Sequence, residues 1–449
     1  HYKHGDREVR IAEVALKIMS EHKICDPCLG RLFSMLGRNV DNYNKGKAIK
    51  TSIYLSACKN LLKGNGENGT KILKIIAKNG NFKPAYSILR ELNISINGEK
   101  FVCELCGGLI DKIDEYIHTA VEKLKNIEYS TFIVGVTIPP ELVSREDAIR
   151  SKFKLSYVEA LKRELNRRIG LKMTLLTGKH VEFKNPDVLV HIDFMRGIVN
   201  VKARSIFIFG RYLKLKREIP QNIWICNNCN GLGCTQCNWT GRKYQISIEE
   251  LIGDPILKIF NAKKWKFHGA GREDVDARVL GRGRPFVIEI IEPKKRNIKL
   301  EDIAKVVNDS SRELVKIQDL TYVSKSLIKD LKIKAKIAKK TYNVKIKVEG
   351  GVSEEELKNL VETFRNIIVE QRTPIRVLRR RPDKIRRKRI YSVNVKIISN
   401  DVFEATITCQ GGLYIKEVVS GDNGRTKPSF TEVLNKKAMC LELDVIDVE

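Results

Sequence analysis

Residues 342–348 read YNVKIKV, in which Tyr342, Val344, Ile346 and Val348 alternate with polar side chains. Because successive side chains of a strand point to opposite faces of a sheet, this alternation predicts a strand with one buried face. Four other segments of the C-terminal half have the composition of strands: 285–291, 390–398, 402–409 and 438–446. Helical segments lie between them without strict strand–helix–strand alternation, which predicts an α+β fold with a mainly antiparallel mixed sheet.

Local signals predict three further elements. Ser353 is followed three residues later by Glu356, and this capping-box spacing predicts a helix start at Ser353. Ser144 has the character of a second helix N-cap, and we expect that helix to end near Gly170. Residues 198–210 are predicted to form one strand that follows the alternating segment around residue 190.

The composition indicates a folded protein of several domains. The chain has 449 residues, of which 42% are hydrophobic, and this excludes a wholly disordered polypeptide. At roughly 150 residues per domain, two to four domains are expected. No uncharged apolar run approaches the ~18 residues that span a bilayer. We therefore expect a soluble, cytoplasmic monomer with no membrane partner.

The positive charge is spread along the whole chain. Lys and Arg number 83 against 54 Asp and Glu, which leaves a formal net charge of +29. Residues 1–245 carry 41 basic and 24 acidic groups, and residues 246–449 carry 42 and 30. Nucleic acid is the partner that such a surface favours, because neutralised phosphates release their condensed counterions. A Lys-rich surface of the thermophile type is the alternative.

Eight of the eleven cysteines form C-x-x-C pairs: Cys25 with Cys28, Cys103 with Cys106, Cys226 with Cys229, and Cys234 with Cys237. Two such pairs supply the four thiolates of a tetrahedral zinc site, so four pairs predict two sites. The last two pairs are adjacent in sequence, whereas the first two must meet across 74 intervening residues. Sites with four thiolates have no open coordination position, and we expect structural rather than catalytic Zn²⁺. Redox-active pairs are the alternative.

Three segments have residues suited to chemistry, and each also has a structural interpretation. Residues 269–286, GAGREDVDARVLGRGRPF, combine three carboxylates with four arginines, as in an active site or a salt-bridged surface turn. Tyr342 opens its strand and would otherwise be its first core residue. Residues 409–424 bring Tyr414 and Lys416 close to two glycines, as in a ligand loop or a simple bulge.

A fourth segment, residues 372–390, reads RTPIRVLRRRPDKIRRKRI and holds ten basic residues against one acid. Pro374 and Pro382 disfavour a continuous helix there. We expect a loop that grips phosphates, the alternative being a disordered charged loop.

Together these motifs resemble a known family. GREDVDAR at 271–278, KTY at 340–342 and GGLYIKE at 411–417 resemble, in order and spacing, the active-site motifs of pseudouridine synthases. The whole chain resembles the archaeal and eukaryotic tRNA pseudouridine synthase family that modifies uridines 54 and 55 of the T-arm. The cysteine pairs, RSIFIFGRYLKLKREIPQ at 204–221 and the RTPIRVLRRR segment are also similar to that family.

The resemblance implies two domains. Residues 1–245 would form an accessory zinc-binding domain that resembles a THUMP module, an RNA-binding unit of tRNA-modifying enzymes. Its THUMP core would span about 50–215, and its compact four-cysteine element would lie at 226–237. Residues 246–449 would form the catalytic domain.

The resemblance also implies residue roles. Asp276 would be the catalytic aspartate, acting at ribose C1′ while the uracil detaches, turns and rejoins through C5. Tyr342 would stack on the target base, Tyr414 would line the uridine pocket, and Lys416 would be the basic partner of the aspartate. Contacts to the tRNA T-arm are expected from seven arginines: Arg272, Arg278, Arg372, Arg376, Arg379, Arg380 and Arg381. Such an isomerisation needs no organic cofactor.

Two rival functions remain at this point. A non-catalytic, zinc-containing tRNA-binding or chaperone protein would share the charge and the cysteines, but it would not need Asp276, Tyr342 and Lys416. A different THUMP-bearing enzyme, such as a tRNA methyltransferase or sulfur transferase, would require a methyl-donor pocket or an ATP loop. The sequence leaves open whether uridine 54, uridine 55 or both are modified.

Overall fold

The computed structural model describes residues 11–96, 100–379 and 381–449. The chain divides into two compact units, His1–Ala203 and Arg204–Glu449. Each unit has its own hydrophobic core. Among the described helices, none combines the length and the apolar character that crossing a bilayer requires.

The first unit consists of helices around a small mixed sheet. Its helices are α1 (Ile11–Glu21), α2 (Asp26–Arg31), α3 (Asn42–Leu62), α4 (Gly66–Lys78), α5 (Lys83–Glu91), α6 (Leu109–Leu124), α7 (Pro140–Lys152) and α8 (Leu161–Thr177). Its strands are β1 (Thr131–Thr137), β2 (His180–Val181), β3 (Val188–Asp193) and β4 (Ile198–Ala203). The strand order is β2-β1-β3-β4, with β1 parallel to both β2 and β3 and with β4 antiparallel to β3.

The helix predicted from Ser144 to Gly170 is wrong. Two helices occupy this region, and Ser144 lies inside α7 rather than at its start. Pro140 occupies the first helical position, where a missing N–H costs nothing, and it therefore sets the start four residues earlier. The chain leaves the helical conformation at residues 153–160 before α8 begins.

The second unit contains most of the strands. Its strands are β5 (Ile206–Lys214), β6 (Lys264–Gly269), β7 (Arg278–Ile291), β8 (Val315–Val323), β9 (Lys339–Val348), β10 (Ile367–Arg372), β11 (Ile385–Ile397), β12 (Val402–Gln410), β13 (Thr426–Lys427) and β14 (Ala438–Val448). Its helices are α9 (Ile248–Phe260), α10 (Leu300–Ser310), α11 (Ser326–Ile337), α12 (Glu354–Thr363), α13 (Ile415–Ser420) and α14 (Phe430–Leu434).

These strands form one ten-stranded sheet in the order β13-β10-β11-β12-β9-β14-β7-β5-β8, with β6 paired to β7. Among the described strands of this sheet, only β7 and β14 pair in parallel, and the other neighbours are antiparallel. The α+β prediction with a mainly antiparallel sheet is confirmed. Strand β9 lies near the centre, and Tyr342, Val344, Ile346 and Val348 are all buried on one face, as their alternation predicts.

The segment predicted as one strand at 198–210 forms two strands that belong to different units. Strand β4 ends at Ala203 in the small sheet, and β5 begins at Ile206 between β7 and β8 of the large sheet. The units accordingly divide at 203/204, whereas the sequence analysis placed the boundary at 245/246. The four-cysteine element at 226–237 and the last residues of the expected THUMP core therefore lie in the second unit.

The capping-box prediction at Ser353 is confirmed. The Glu356 amide N–H donates to Ser353 Oγ at 3.2 Å, and the Ser353 amide N–H donates to Glu356 Oε2 at 2.8 Å. Two amide groups that a helix start leaves unpaired are thus satisfied by side chains. Helix α12 buries Leu357 and Leu360 against the sheet core.

Candidate active site and four-cysteine clusters

The three motif segments meet at one cavity of about 750 Å³ in the second unit. Its wall includes the loop between β6 and β7, Tyr342 on β9, and the 411–414 turn between β12 and α13. Sheet order explains this meeting, because β9 lies between β12 and β14, and β14 pairs with β7. Segments that are about 140 residues apart in sequence thus become neighbours.

Two tyrosines line this cavity. Tyr342 is buried among its neighbours, and desolvation raises the pKa of its phenol, so the ring remains neutral. The backbone of Tyr414 is held by the buried Gln371 side chain, which accepts from its N–H at 2.8 Å and donates to its carbonyl at 3.0 Å. The Arg376 guanidinium lies 5.9 Å from the centroid of the Tyr414 ring. Tyr342 is therefore held by burial, and Tyr414 is held at the cavity wall through its backbone.

The first carboxylate of the GREDVD loop, Glu273, anchors the loop in the protein interior. Its Oε2 lies 2.8 Å from Nε of Arg284, a contact of charges in which the N–H is not aligned for a hydrogen bond. The Tyr212 hydroxyl lies 2.8 and 2.9 Å from the two carboxylate oxygens. Both side chains of the ion pair are 1% exposed, so Glu273 has a structural environment.

The other two carboxylates differ in their relation to the cavity. Asp274 lines the wall, lies 3.0 Å from Nη1 of Arg376, and lies 3.7 Å from Nζ of Lys416. Asp276 accepts from Lys416 Nζ at 2.8 and 2.6 Å, and its side chain is 52% exposed. Burial would raise the pKa of Asp276, but Lys416 outweighs it and lowers the pKa. Among the described wall residues are Asp274 and Ala277, but not Asp276.

The backbone of this loop is held by two basic side chains, one at the end of β5 and one just after it. Lys214 is fully buried, and its ammonium donates to the carbonyls of Val275 at 2.5 Å and Asp274 at 3.3 Å. Arg217 donates to the Asp276 carbonyl at 2.9 Å. Burial lowers the pKa of Lys214 to about 8. Lys214 and Arg217 therefore position the loop. In the sequence they are two of several neighbouring basic residues, and nothing there indicates this role.

A further lysine shapes the cavity wall. Lys340 is buried and lines the cavity, and desolvation lowers its pKa to about 8. Gly271 leaves room for it, because a Cβ at this position would lie 3.1 Å from Lys340 Nζ and 3.2 Å from Arg284 Nη1. The φ of Gly271 is +79°, a conformation that other residues rarely adopt.

Of the seven arginines predicted to contact RNA, Arg272, Arg376 and Arg381 line the cavity. Arg386 and Lys388 line it as well, and the sequence analysis did not single them out. With Arg284, Lys332, Lys336 and Lys340, nine basic side chains line the cavity, an arrangement suited to phosphate groups on either side of a bound nucleotide.

Two predicted RNA contacts outside the cavity wall are ion-paired within the protein. Arg278 donates from Nε and Nη2 to the two oxygens of Asp444, at 3.0 and 2.7 Å. Arg372 forms an ion pair with Asp383 at 2.7 Å. A bidentate pair such as that of Arg278 holds the guanidinium in one orientation, so Arg278 joins β7 to β14.

The predicted loop at 372–390 is shorter than expected. Residues 385–390 belong to β11, where they pair with β10, and the loop itself is confined to residues 373–384. Arg379 is exposed on this loop, and Arg380 lies outside the described residues. Residues 385–390 read IRRKRI, and the four consecutive basic residues hide the alternation of apolar and polar side chains by which a strand is recognised.

Comparison with known proteins identifies the family. The family models described as "Pus10, C-terminal" and "Pus10 THUMP domain, archaeal" match residues 207–449 and 116–193. The curated "tRNA pseudouridine synthase Pus10" of Thermofilum pendens is 37% identical and covers 100% of this chain and 97% of its own. The chain belongs to the Pus10 family of tRNA pseudouridine synthases. The Pus10 protein of Ignisphaera aggregans is 39% identical over 98% of this chain and 99% of its own.

The family assignment confirms the resemblance inferred from the three motifs. The Pus10 protein of Methanocaldococcus jannaschii is 38% identical over 96% of this chain. The Pus10 THUMP model ends at residue 193 and so lies wholly in the first unit, and the Pus10 C-terminal model begins at residue 207, at the start of β5.

The eight paired cysteines form two clusters, as the sequence predicts. One comprises Cys25, Cys28, Cys103 and Cys106, and the other comprises Cys226, Cys229, Cys234 and Cys237. Within each cluster, all sulfur atoms lie within 4.8 Å of one another. Cys25 and Cys106 are 3.9 Å apart in the first cluster, and three pairs of the second cluster are 3.7–3.9 Å apart. A tetrahedron with metal–sulfur distances of about 2.3 Å has edges of about 3.8 Å, so both clusters fit a tetrahedral ion.

Backbone amides support the second cluster. The Gly233 N–H donates to Cys229 Sγ, and the N–H groups of Cys234 and Gly241 donate to Cys237 Sγ, each at 3.2 Å. Desolvation would raise the pKa of the Cys237 thiol, but hydrogen bonds, including those from the Cys234 and Gly241 amides, outweigh it and lower the pKa to about 6. A thiolate stabilised in this way is the form that binds a metal.

Proposed function

We propose that the chain converts uridine to pseudouridine in the T-arm of tRNA, at position 54, position 55 or both. The observation that carries the proposal is the cavity at which a carboxylate, two tyrosines and several cations converge. Membership of the Pus10 family gives the class of reaction and of substrate. A binding protein would have no need for a carboxylate inside a cavity sized for a nucleotide.

The isomerisation exchanges one bond for another. The C1′–N1 bond breaks and its electron pair stays with the uracil, which turns so that C5 forms a new bond to C1′. C5 then loses its proton and N1 gains one, so the product is an isomer and no cofactor is consumed. An aspartate at C1′ assists by attack or by stabilising positive charge at the ribose.

We propose Asp274 as this aspartate, whereas the sequence analysis favoured Asp276. Support comes from the cavity wall, which includes Asp274 together with Tyr342. Asp276 lies beside the wall and binds Lys416, whose ammonium is 3.7 Å from Asp274. In this proposal Asp276 positions Lys416, and Lys416 orients the Asp274 carboxylate.

The target uridine must leave its stack before it can enter the cavity. Unstacking costs a few kcal/mol, and aromatic side chains that contact the flipped base offset this cost. Tyr342 and Tyr414 are placed to provide those contacts. Arg272, Arg376 and Arg381 would bind the flanking phosphates.

The test uses an unmodified tRNA transcript without cofactor, followed by carbodiimide primer-extension mapping of pseudouridine. We expect stops in the T-arm with the parent protein and none with Asp274→Asn, whereas Asp276→Asn retains part of the activity. If Asp274→Asn is active and Asp276→Asn is inactive, Asp276 rather than Asp274 is the catalytic aspartate. Tight binding without any stops would support the non-catalytic alternative.

We also propose that each four-cysteine cluster holds one structural Zn²⁺. The sulfur spacing and the amide donors support a tetrahedral thiolate site. Elemental analysis should give two zinc ions per chain, and Cys237→Ser should retain one. Cys58→Ser is the matched control, because Cys58 belongs to neither cluster, and it should retain both.

A further inference from the structure

The four-cysteine element at 226–237 has no role in the reaction proposed above. It projects from a short antiparallel base, in which Ile225 bridges to Arg242 and the Cys226 N–H donates to the Gly241 carbonyl at 2.8 Å. The Lys243 N–H donates to the Trp224 carbonyl at 2.9 Å and extends this base. The element is therefore attached to the second unit through residues 224–226 and 241–243.

The base of the element adjoins the wall of the cavity. The guanidinium of Arg272, which lines the cavity, lies 4.9 Å from the centroid of the Trp224 ring. The Lys243 ammonium lies 5.3 Å from the same centroid, and the Tyr244 ring meets Trp224 edge-on at 5.4 Å. Because Arg272 lines the cavity and also contacts Trp224, the base of the four-cysteine element is contiguous with the cavity wall.

Beyond the base, Trp239 presents its ring to solvent. The side chain is 74% exposed, although Trp is among the residues that gain most from burial. Its φ is +61°, in the left-handed region that a bulky residue rarely adopts. The turn itself imposes this conformation, since the Trp239 N–H donates to the Cys234 carbonyl at 2.8 Å. Asn or Gly would adopt this backbone conformation at a lower cost in stability than Trp. The tryptophan therefore points to a role other than stabilising the fold.

The charge around this tryptophan suits RNA. Residues 219–248 contain no aspartate or glutamate, and they include Lys243 and also Arg242, which is paired with Glu250. No carboxylate of this segment would therefore repel a phosphate. Any base offers a flat π face to an aromatic ring, so an exposed indole on an element that adjoins the cavity wall fits an unpaired base better than a protein side chain.

We propose that Trp239 stacks on an unpaired base of the same RNA whose uridine enters the cavity. This inference rests on the proposed function for the identity of the RNA. The four-cysteine cluster then serves to hold an unfavourable loop conformation, so that the indole stays exposed and oriented before the RNA arrives. Preorganisation of this kind increases affinity, because the loop and the indole are already ordered in the free protein and lose little conformational entropy on binding.

The test compares Trp239→Asn, Trp239→Phe and Leu232→Asn in binding to the unmodified transcript. Asn tolerates the left-handed backbone, so Trp239→Asn should keep its zinc and its folding while its Kd rises roughly 5- to 100-fold, the loss expected for one stacked base. Trp239→Phe should retain most of the affinity. Leu232 is 92% exposed on the same element but has no π face, so Leu232→Asn should bind as the parent does.

Tryptophan fluorescence gives a second readout that does not depend on catalysis. The transcript should quench the parent protein more than Trp239→Phe, because stacking brings the base onto the indole. An unchanged Kd for Trp239→Asn, or equal quenching of both proteins, would overturn the inference. If the parent forms no pseudouridine but Trp239→Asn still weakens binding, the stacking contact stands and the proposed reaction falls. Equal loss of affinity in Leu232→Asn would instead indicate a general apolar contact and would refute stacking.

Discussion

Replacement of Arg284 by methionine should strongly destabilise the second unit. Arg284 is 1% exposed, lies 2.8 Å from Glu273 Oε2, and donates to the Ala270 carbonyl at 3.0 Å. Methionine fills much of the volume but leaves the Glu273 carboxylate buried without its arginine, while the Tyr212 hydroxyl still contacts its oxygens. Removal of one partner of a buried ion pair costs about 3–5 kcal/mol, because the remaining charge is uncompensated.

The three tryptophans allow this cost to be measured for the second unit alone. Trp224, Trp239 and Trp265 all follow residue 204, so tryptophan fluorescence does not report on the first unit. In urea, with a slope near 3 kcal/mol per M, a loss of about 3–5 kcal/mol lowers the midpoint by roughly 1–2 M. The measurement is a urea titration of parent and variant followed by this signal.

Two controls separate burial from charge. Lys437 pairs with Glu349 on the surface, where the side chains are 64% and 55% exposed, so Lys437→Met should change stability by less than about 1 kcal/mol. Glu273→Gln combined with Arg284→Met should recover part of the loss, because no buried charge is left unpaired. An Arg284→Met midpoint within 0.3 M or so of the parent would refute the reasoning.

Two further predictions concern two buried lysines of the second unit and a glycine of the cavity wall. Burial lowers the pKa of Lys214 and of Lys340 to about 8 from 10.5, so the penalty on each ammonium is fully present below pH 8 and disappears toward pH 10.5. The urea midpoint of the second unit should therefore increase between pH 8 and pH 9. The increase should be smaller in Lys214→Met, and a decrease in the parent protein would contradict the prediction. Burial raises the pKa of Cys409 to about 12, which opposes the rise above pH 9. Gly271→Ala should cost about 1–2 kcal/mol for its φ of +79° and should displace Lys340, lowering pseudouridine formation; activity equal to that of the parent would show that the wall adapts.

Several features of this protein follow from local sequence alone. The alternation at 342–348 indicated both the strand and its buried face, because side-chain direction in a strand depends only on position along the chain. The capping box at Ser353 was equally reliable, since both partners lie within one helical turn. The C-x-x-C spacing identified the eight clustered cysteines, because two thiolates three residues apart already have metal-binding geometry.

Other features are decided by pairings between distant segments, which local patterns do not encode. The apolar run at 198–210 contains no signal that β4 and β5 belong to different sheets; only the partners β3 and β7 decide it. The same holds for the carboxylates of the GREDVD loop. Sequence presents Glu273, Asp274 and Asp276 as equivalent neighbours, but Arg284, the cavity wall and Lys416 give each a different environment. Their partners come from other strands and helices, so the tertiary structure alone determines that Glu273 and Asp274 line the cavity and Asp276 does not.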